Sequence, residues 1–157
     1  DRQTNPPMVR ATVTDYILVE PFNMQQVRDR AHHRSLTPRL VLEQDGAVYQ
    51  SSYFTDSDMT VDAPAYRVTV KTGLSDRRGQ SPDLRPTVTY ELTEHGMAVT
   101  LTDCGDARFL LPLIAGRTDI LCGTLEKEED IFFLTGGFEA REMTIAPVQG
   151  SIRLIIR

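Results

Sequence analysis

The sequence predicts an all-β protein: an antiparallel β-sandwich, jelly-roll-like in outline, of about ten short strands with at most one short helix. Three observations predict it. Apolar residues recur with period two along most of the chain. Turn signals punctuate that pattern every ~8–12 residues. The long helical crossovers that parallel strands require are missing.

The elements follow in order. Over residues 9–20, Val9, Ala11, Val13, Ile17 and Val19 share one face, with Arg10, Thr12, Thr14 and Glu20 on the other. Asp15 falls on the apolar side, where a carboxylate needs a partner or a shifted pKa. It reads as a bulge turned to solvent, a pair with an arginine, or a group aimed into a cleft. Between residues 23 and 35, Asn23 with Gln26 resembles a capping pair, and Met24, Val27 and Ala31 sit at helical spacing. That stretch is either a short helix or an irregular excursion. Residues 39–44 place Leu40 and Leu42 on one face, Asp45-Gly46 signals a two-residue hairpin turn, and residues 47–54 return with Tyr49 and Tyr53 on one face.

Residues 55–65 read as a long loop carrying Asp56, Asp58 and Asp62. Oxygen-rich loops can hold calcium, but this one lacks the downstream glycine and glutamate of an EF-hand and reads as a plain acidic loop. Tyr66, Val68 and Val70 make a strand that Gly73 closes, and residues 75–86 form a second long loop with Asp76-Arg77-Arg78-Gly79. Val88, Tyr90 and Leu92, then Met97, Val99 and Leu101, point inward from a meander that turns at Glu94-His95-Gly96. Residues 109–114 are apolar on both faces, which suggests a central strand, while Pro112 argues for an edge or a bulge. Short strands follow at 119–125, 131–135 and 143–146, with Lys127-Glu128-Glu129-Asp130 as a charged turn. Ile152, Leu154, Ile155 and Ile156 form an apolar terminal strand; at a sheet edge it would invite pairing with another chain.

Composition bounds the function. The 157 residues suit one domain, 1–157, with 40% hydrophobic and 25% charged residues. No stretch approaches the ~20 apolar residues of a membrane helix. A net charge of −5 without a long basic run disfavours nucleic-acid binding, which needs clustered Lys and Arg. The chain begins Asp1-Arg2-Gln3, as expected of a processed chain or a piece of a larger protein. Cys104 and Cys122 sit in no metal-ligand spacing; they read as buried thiols or as one disulfide.

Two basic clusters are the candidate binding residues: Arg28, Arg30, His32, His33 and Arg34, and then Arg77 and Arg78. The guanidinium fork matches carboxylate, sulfate or phosphate, so an anionic sugar or a partner surface fits them, against the plainer reading of a solvated face. Adjacent histidines point apart, so His32 and His33 do not make a metal site. Tyr49 and Tyr53 form either a small sugar platform or sheet packing. His95 reads as an exposed turn residue. No nucleophile elbow and no phosphate-cradling glycine loop occurs, so neither cofactor nor metal is expected and no catalytic residue is assigned. A stand-alone hydrolase would need a cleft joining Asp15 to His32 or His33.

Residues 87–116, TVTYELTEHGMAVTLTDCGDARFLLPLIAG, carry a resemblance. Tyr90-Glu91-Leu92, Gly96-Met97-Ala98-Val99 and Leu111-Pro112-Leu113 resemble strand phrases of the β-sandwich domains attached to polysaccharide lyases and other carbohydrate-active enzymes, heparinase-like lyases included. The resemblance implies an accessory, non-catalytic domain in a periplasmic or extracellular protein. Its partners would be an anionic polysaccharide or a neighbouring catalytic domain, the latter commonly a helical toroid for which these residues carry no pattern. The chain would then supply a lip of a glycan cleft or a domain interface. The alternative is a structural or assembly module that oligomerises through the C-terminal strand.

Overall fold

Asp45 and Gly46 take positive φ, 52° and 77°, as a tight hairpin turn requires. They join β1 (Arg39–Gln44) to β2 (Ala47–Gln50), with Gln44 opposite Ala47. A computed structural model of the chain describes residues 37–113, 115–133 and 138–157. The readings at residues 9–20, at Asp15 and at residues 23–35 lie outside the described residues.

The other strands are β3 (Asp58–Asp62), β4 (Arg67–Lys71), β5 (Thr87–Thr93), β6 (Gly96–Thr102), β7 (Arg108–Leu113), β8 (Thr118–Cys122), β9 (Thr124–Phe133), β10 (Phe138–Ala146) and β11 (Ile152–Ile156). They build two antiparallel sheets, a five-stranded one in the order β2-β1-β7-β10-β9 and a six-stranded one in the order β3-β4-β5-β6-β11-β8. The architecture is the expected all-β sandwich.

The core lies where the two inner faces meet. Leu40, Phe109, Leu111, Met143 and Ile145 come from the five-stranded sheet; Val88, Val99, Leu101, Ile152 and Leu154 come from the other. Each such side chain contributes about 1.5–3 kcal/mol when fully buried. Leu42, Tyr49, Tyr90 and Ile156 pack against this cluster, as their alternation predicts.

Several sequence readings are corrected. β7 is the central strand of its sheet despite Pro112. Its pairing with β1 covers Arg108 to Leu110 only, so Pro112 lies past the end of that ladder while still opposing Glu142 of β10. The chain expected to be one strand at 119–125 breaks at Gly123 and passes from β8 in one sheet to β9 in the other. Lys127-Glu128-Glu129-Asp130 is no turn; it lies inside β9, at the border of the five-stranded sheet. Charges there discourage edge-to-edge association. The acidic loop contains a strand, β3, because Met59 and Val61 alternate toward β4 partners Val70 and Val68. The terminal strand β11 sits between β6 and β8, so both its hydrogen-bonding sides are taken and it is not the edge that self-assembly would need.

Both cysteines are free thiols, Cys104 buried and Cys122 half-buried. Burial, with Asp103 beside it, pushes the Cys104 thiol up to about 12. At pH 8 its thiolate is then only about one part in ten thousand. Cys104 is therefore expected to stay unmodified by a thiol-reactive dye in the native protein and to react on unfolding; equal labelling before and after denaturation would contradict this.

Candidate functional site

The site is assembled by a clip between two distant segments. At the end of β2, the Gln50 N–H donates to the Ser75 carbonyl at 2.8 Å, and the Ser75 N–H donates back to Gln50 at 3.0 Å. This fixes the loop that follows β4 against the β1–β2 hairpin. The return strand ends here, earlier than its alternation suggests. A single 3-10 turn over Ser51–Tyr53 follows, anchored where Ser51 Oγ accepts the Leu40 N–H at 2.9 Å. The turn separates the two tyrosines: Tyr49 packs on the core, whereas Tyr53 is turned outward and is 37% exposed.

The facing loop is closed on itself. Asp76 Oδ1 accepts the N–H groups of Arg78 at 2.9 Å and Gln80 at 2.8 Å, and the Asp76 N–H donates to the Gln80 carbonyl at 2.9 Å. An aspartate folded onto its own following backbone is a common turn device. It presents Arg77 and Arg78 at the tip. The Arg77 Nε–H donates to the Tyr53 hydroxyl at 3.4 Å, and this contact holds the guanidinium above its ordinary pKa. Between hairpin and loop lies a groove of about 420 Å³ whose walls include Val48, Gln50, Tyr53, Arg77 and Arg78. Its volume falls in the range of small-ligand clefts, ~300–1,000 Å³.

A second contact lies at the end of the 3-10 turn, at Phe54. Arg85 lies over the Phe54 ring at 5.0 Å. Gly73 sits directly beneath, since a Cβ there would come within 2.6 Å of the Phe54 ring and 2.8 Å of Arg85.

The structure thus brings Arg77 and Arg78, singled out by residue type, together with Tyr53, singled out as an aromatic. Gln50 and Val48 were not anticipated, because only the clip to Ser75 places them at the groove. Arg28, Arg30, His32, His33 and Arg34 lie outside the described residues. His95 is exposed in its turn, its N–H donating to Thr93 Oγ1 at 3.2 Å. Among the described residues no cluster of His, Cys, Asp or Glu could hold a metal, and no helix is long and apolar enough to cross a membrane.

Chemically the groove offers a flat ring, a side-chain amide and two guanidinium forks. A family model described as the Ulvan lyase C-terminal domain matches residues 5–122. It agrees with the resemblance carried by residues 87–116. The comparisons with curated proteins and with solved structures find no match.

Proposed function

The chain belongs to the family of ulvan lyase C-terminal domains, and from that premise we propose that it is an accessory, non-catalytic domain whose Tyr53–Arg77–Arg78 groove forms a lip of the lyase's glycan cleft. The observation that carries this reading is the hydrogen bond from Arg77 to Tyr53, which sets a cation and a flat ring side by side on one open groove. A sugar ring stacks on an aromatic face while its carboxylate or sulfate takes a guanidinium fork. Arg77 and Arg78 supply that fork, and Gln50 supplies donors and an acceptor for hydroxyls. Asp76 carries a negative charge beside them, but its Oδ1 is engaged by two backbone N–H groups. The ligand class is therefore an anionic polysaccharide.

The test is retention of the protein in affinity gels containing an anionic polysaccharide, with a neutral one as control. Arg77→Ala with Arg78→Ala is expected to weaken binding about tenfold, because exposed charge contacts contribute about 0.2–1 kcal/mol each and forked contacts to an anion contribute more. Tyr53→Ala removes both the stacking face and the Arg77 contact and is expected to act in the same direction. Binding should fall as salt rises. Retention that is unchanged in all these variants would remove the glycan reading.

A further inference from the structure

The loop after β4 carries three consecutive charges, Asp76, Arg77 and Arg78, and all three line the groove. Four other partly exposed arginines each lie against a carboxylate. Arg67 reaches Asp62 and Glu91, Arg108 reaches Glu126, Arg141 reaches Glu128 and Arg157 reaches Asp119. Among the described residues Arg77 and Arg78 have no such partner, although an aspartate precedes them in the chain. The polar contact of the Arg77 side chain is with the neutral Tyr53 hydroxyl, which orients the guanidinium without cancelling its charge.

The reason lies in what Asp76 does instead. Its Oδ1 accepts the N–H groups of Arg78 at 2.9 Å and Gln80 at 2.8 Å. Its carbonyl accepts the Ser75 hydroxyl at 2.9 Å and the Gly79 N–H at 3.2 Å. Hydrogen bonds from backbone N–H groups to a carboxylate are charge-assisted and strong, whereas an exposed ion pair contributes little. The loop backbone therefore outcompetes the neighbouring guanidinium groups for this carboxylate. Side-chain length matters here. One methylene sets the carboxyl over the amides two and four residues on; a second would carry it past them.

We propose that Asp76 is the positioning residue of the groove: by binding its own loop it holds its charge off Arg77 and Arg78, so that both guanidinium groups stay open to the anionic groups of a polysaccharide. The ligand in that statement rests on the glycan reading of the groove; the insulation of the two arginines does not. Binding to dextran sulfate, with uncharged dextran as control, tests it in four proteins: the natural chain, Asp76→Asn, Asp76→Glu and Asp76→Gln. Asparagine keeps the length and the accepting oxygen without the charge. Glutamate keeps the charge but frees it from the loop, and glutamine has that length without the charge.

Removing the charge at aspartate length is expected to change affinity by no more than about twofold, because the charge is already held away from the arginines. At the longer length, glutamate is expected to bind about fivefold more weakly than glutamine, because its freed carboxylate pairs with Arg77 or Arg78. Equal binding by the glutamate and glutamine variants would overturn the proposal, since Asp76 would then only shape the loop. So would an asparagine gain as large as the glutamine one, since the charge would then never have been insulated. The Arg78 and Gln80 amides should exchange about tenfold faster in both longer variants, and unchanged exchange there would count against the loop contact as the cause. The Nε–H resonances of Arg77 and Arg78 give the same comparison without ligand: little change from aspartate to asparagine, a clear shift from glutamate to glutamine. A natural protein that binds dextran sulfate no better than dextran sinks the glycan lip, while that resonance pattern still decides the role of Asp76.

Discussion

Replacing Phe109 by alanine is expected to cost about 3–5 kcal/mol of folding stability. Phe109 is 2% exposed and sits on β7, the central strand, between Leu40 of β1 and Ile145 of β10. Its ring faces the buried residues of the opposite sheet, so truncation opens a cavity that two stiff layers cannot close. A domain of this size has only about 5–15 kcal/mol in total, so the loss is about a fifth or more of its margin. The check is the midpoint of urea unfolding at unchanged slope. A loss below about 1 kcal/mol would mean that the two inner faces do not form one packed interior.

Gly96→Ala is expected to cost more than about 2 kcal/mol, far beyond the usual effect of one added methyl. Gly96 opens β6 with φ of +136°, and a Cβ there would stand 2.1 Å from the Ile156 carbonyl oxygen. Backbone, unlike a flexible side-chain tip, cannot move aside without breaking the β6–β11 pairing of Met97 with Ile156. Gly46→Ala is the control. It also has positive φ, +77°, but nothing lies within 4 Å of its Cβ position. Its cost should be the conformational one alone, about 1–2 kcal/mol. Thermal unfolding of the two variants side by side separates close approach from backbone preference; equal losses would show that the carbonyl contact carries no weight.

The candidate groove was half visible in the chain. Arg77 and Arg78 announced themselves by residue type, and Tyr53 by its ring. What joined them is the Gln50–Ser75 clip, two backbone hydrogen bonds between segments that no local pattern relates. The 3-10 turn that turns Tyr53 away from Tyr49 also depends on Ser51 reaching the Leu40 amide. β3 was hidden for a similar reason. Aspartate is poorly suited to strands, so Asp58 and Asp62 masked an alternation that becomes a strand only when β4 lies beside it.

Alternation by itself determined which side chains go inside: Leu40, Val88, Val99, Leu101, Ile152 and Leu154 are buried as their period-two spacing requires, because successive residues of an extended chain must face opposite ways. It determined the Asp45-Gly46 turn too, through the two residues' tolerance of positive φ. Only the tertiary structure decided which strands are interior and which are edges. β11 became interior, β9 took its charges to a border, and among the described residues β3 pairs on one side only, with β4. Strand neighbours are chosen by long-range backbone hydrogen bonding and by the matching of whole faces, and neither is written in the spacing of residues along one strand.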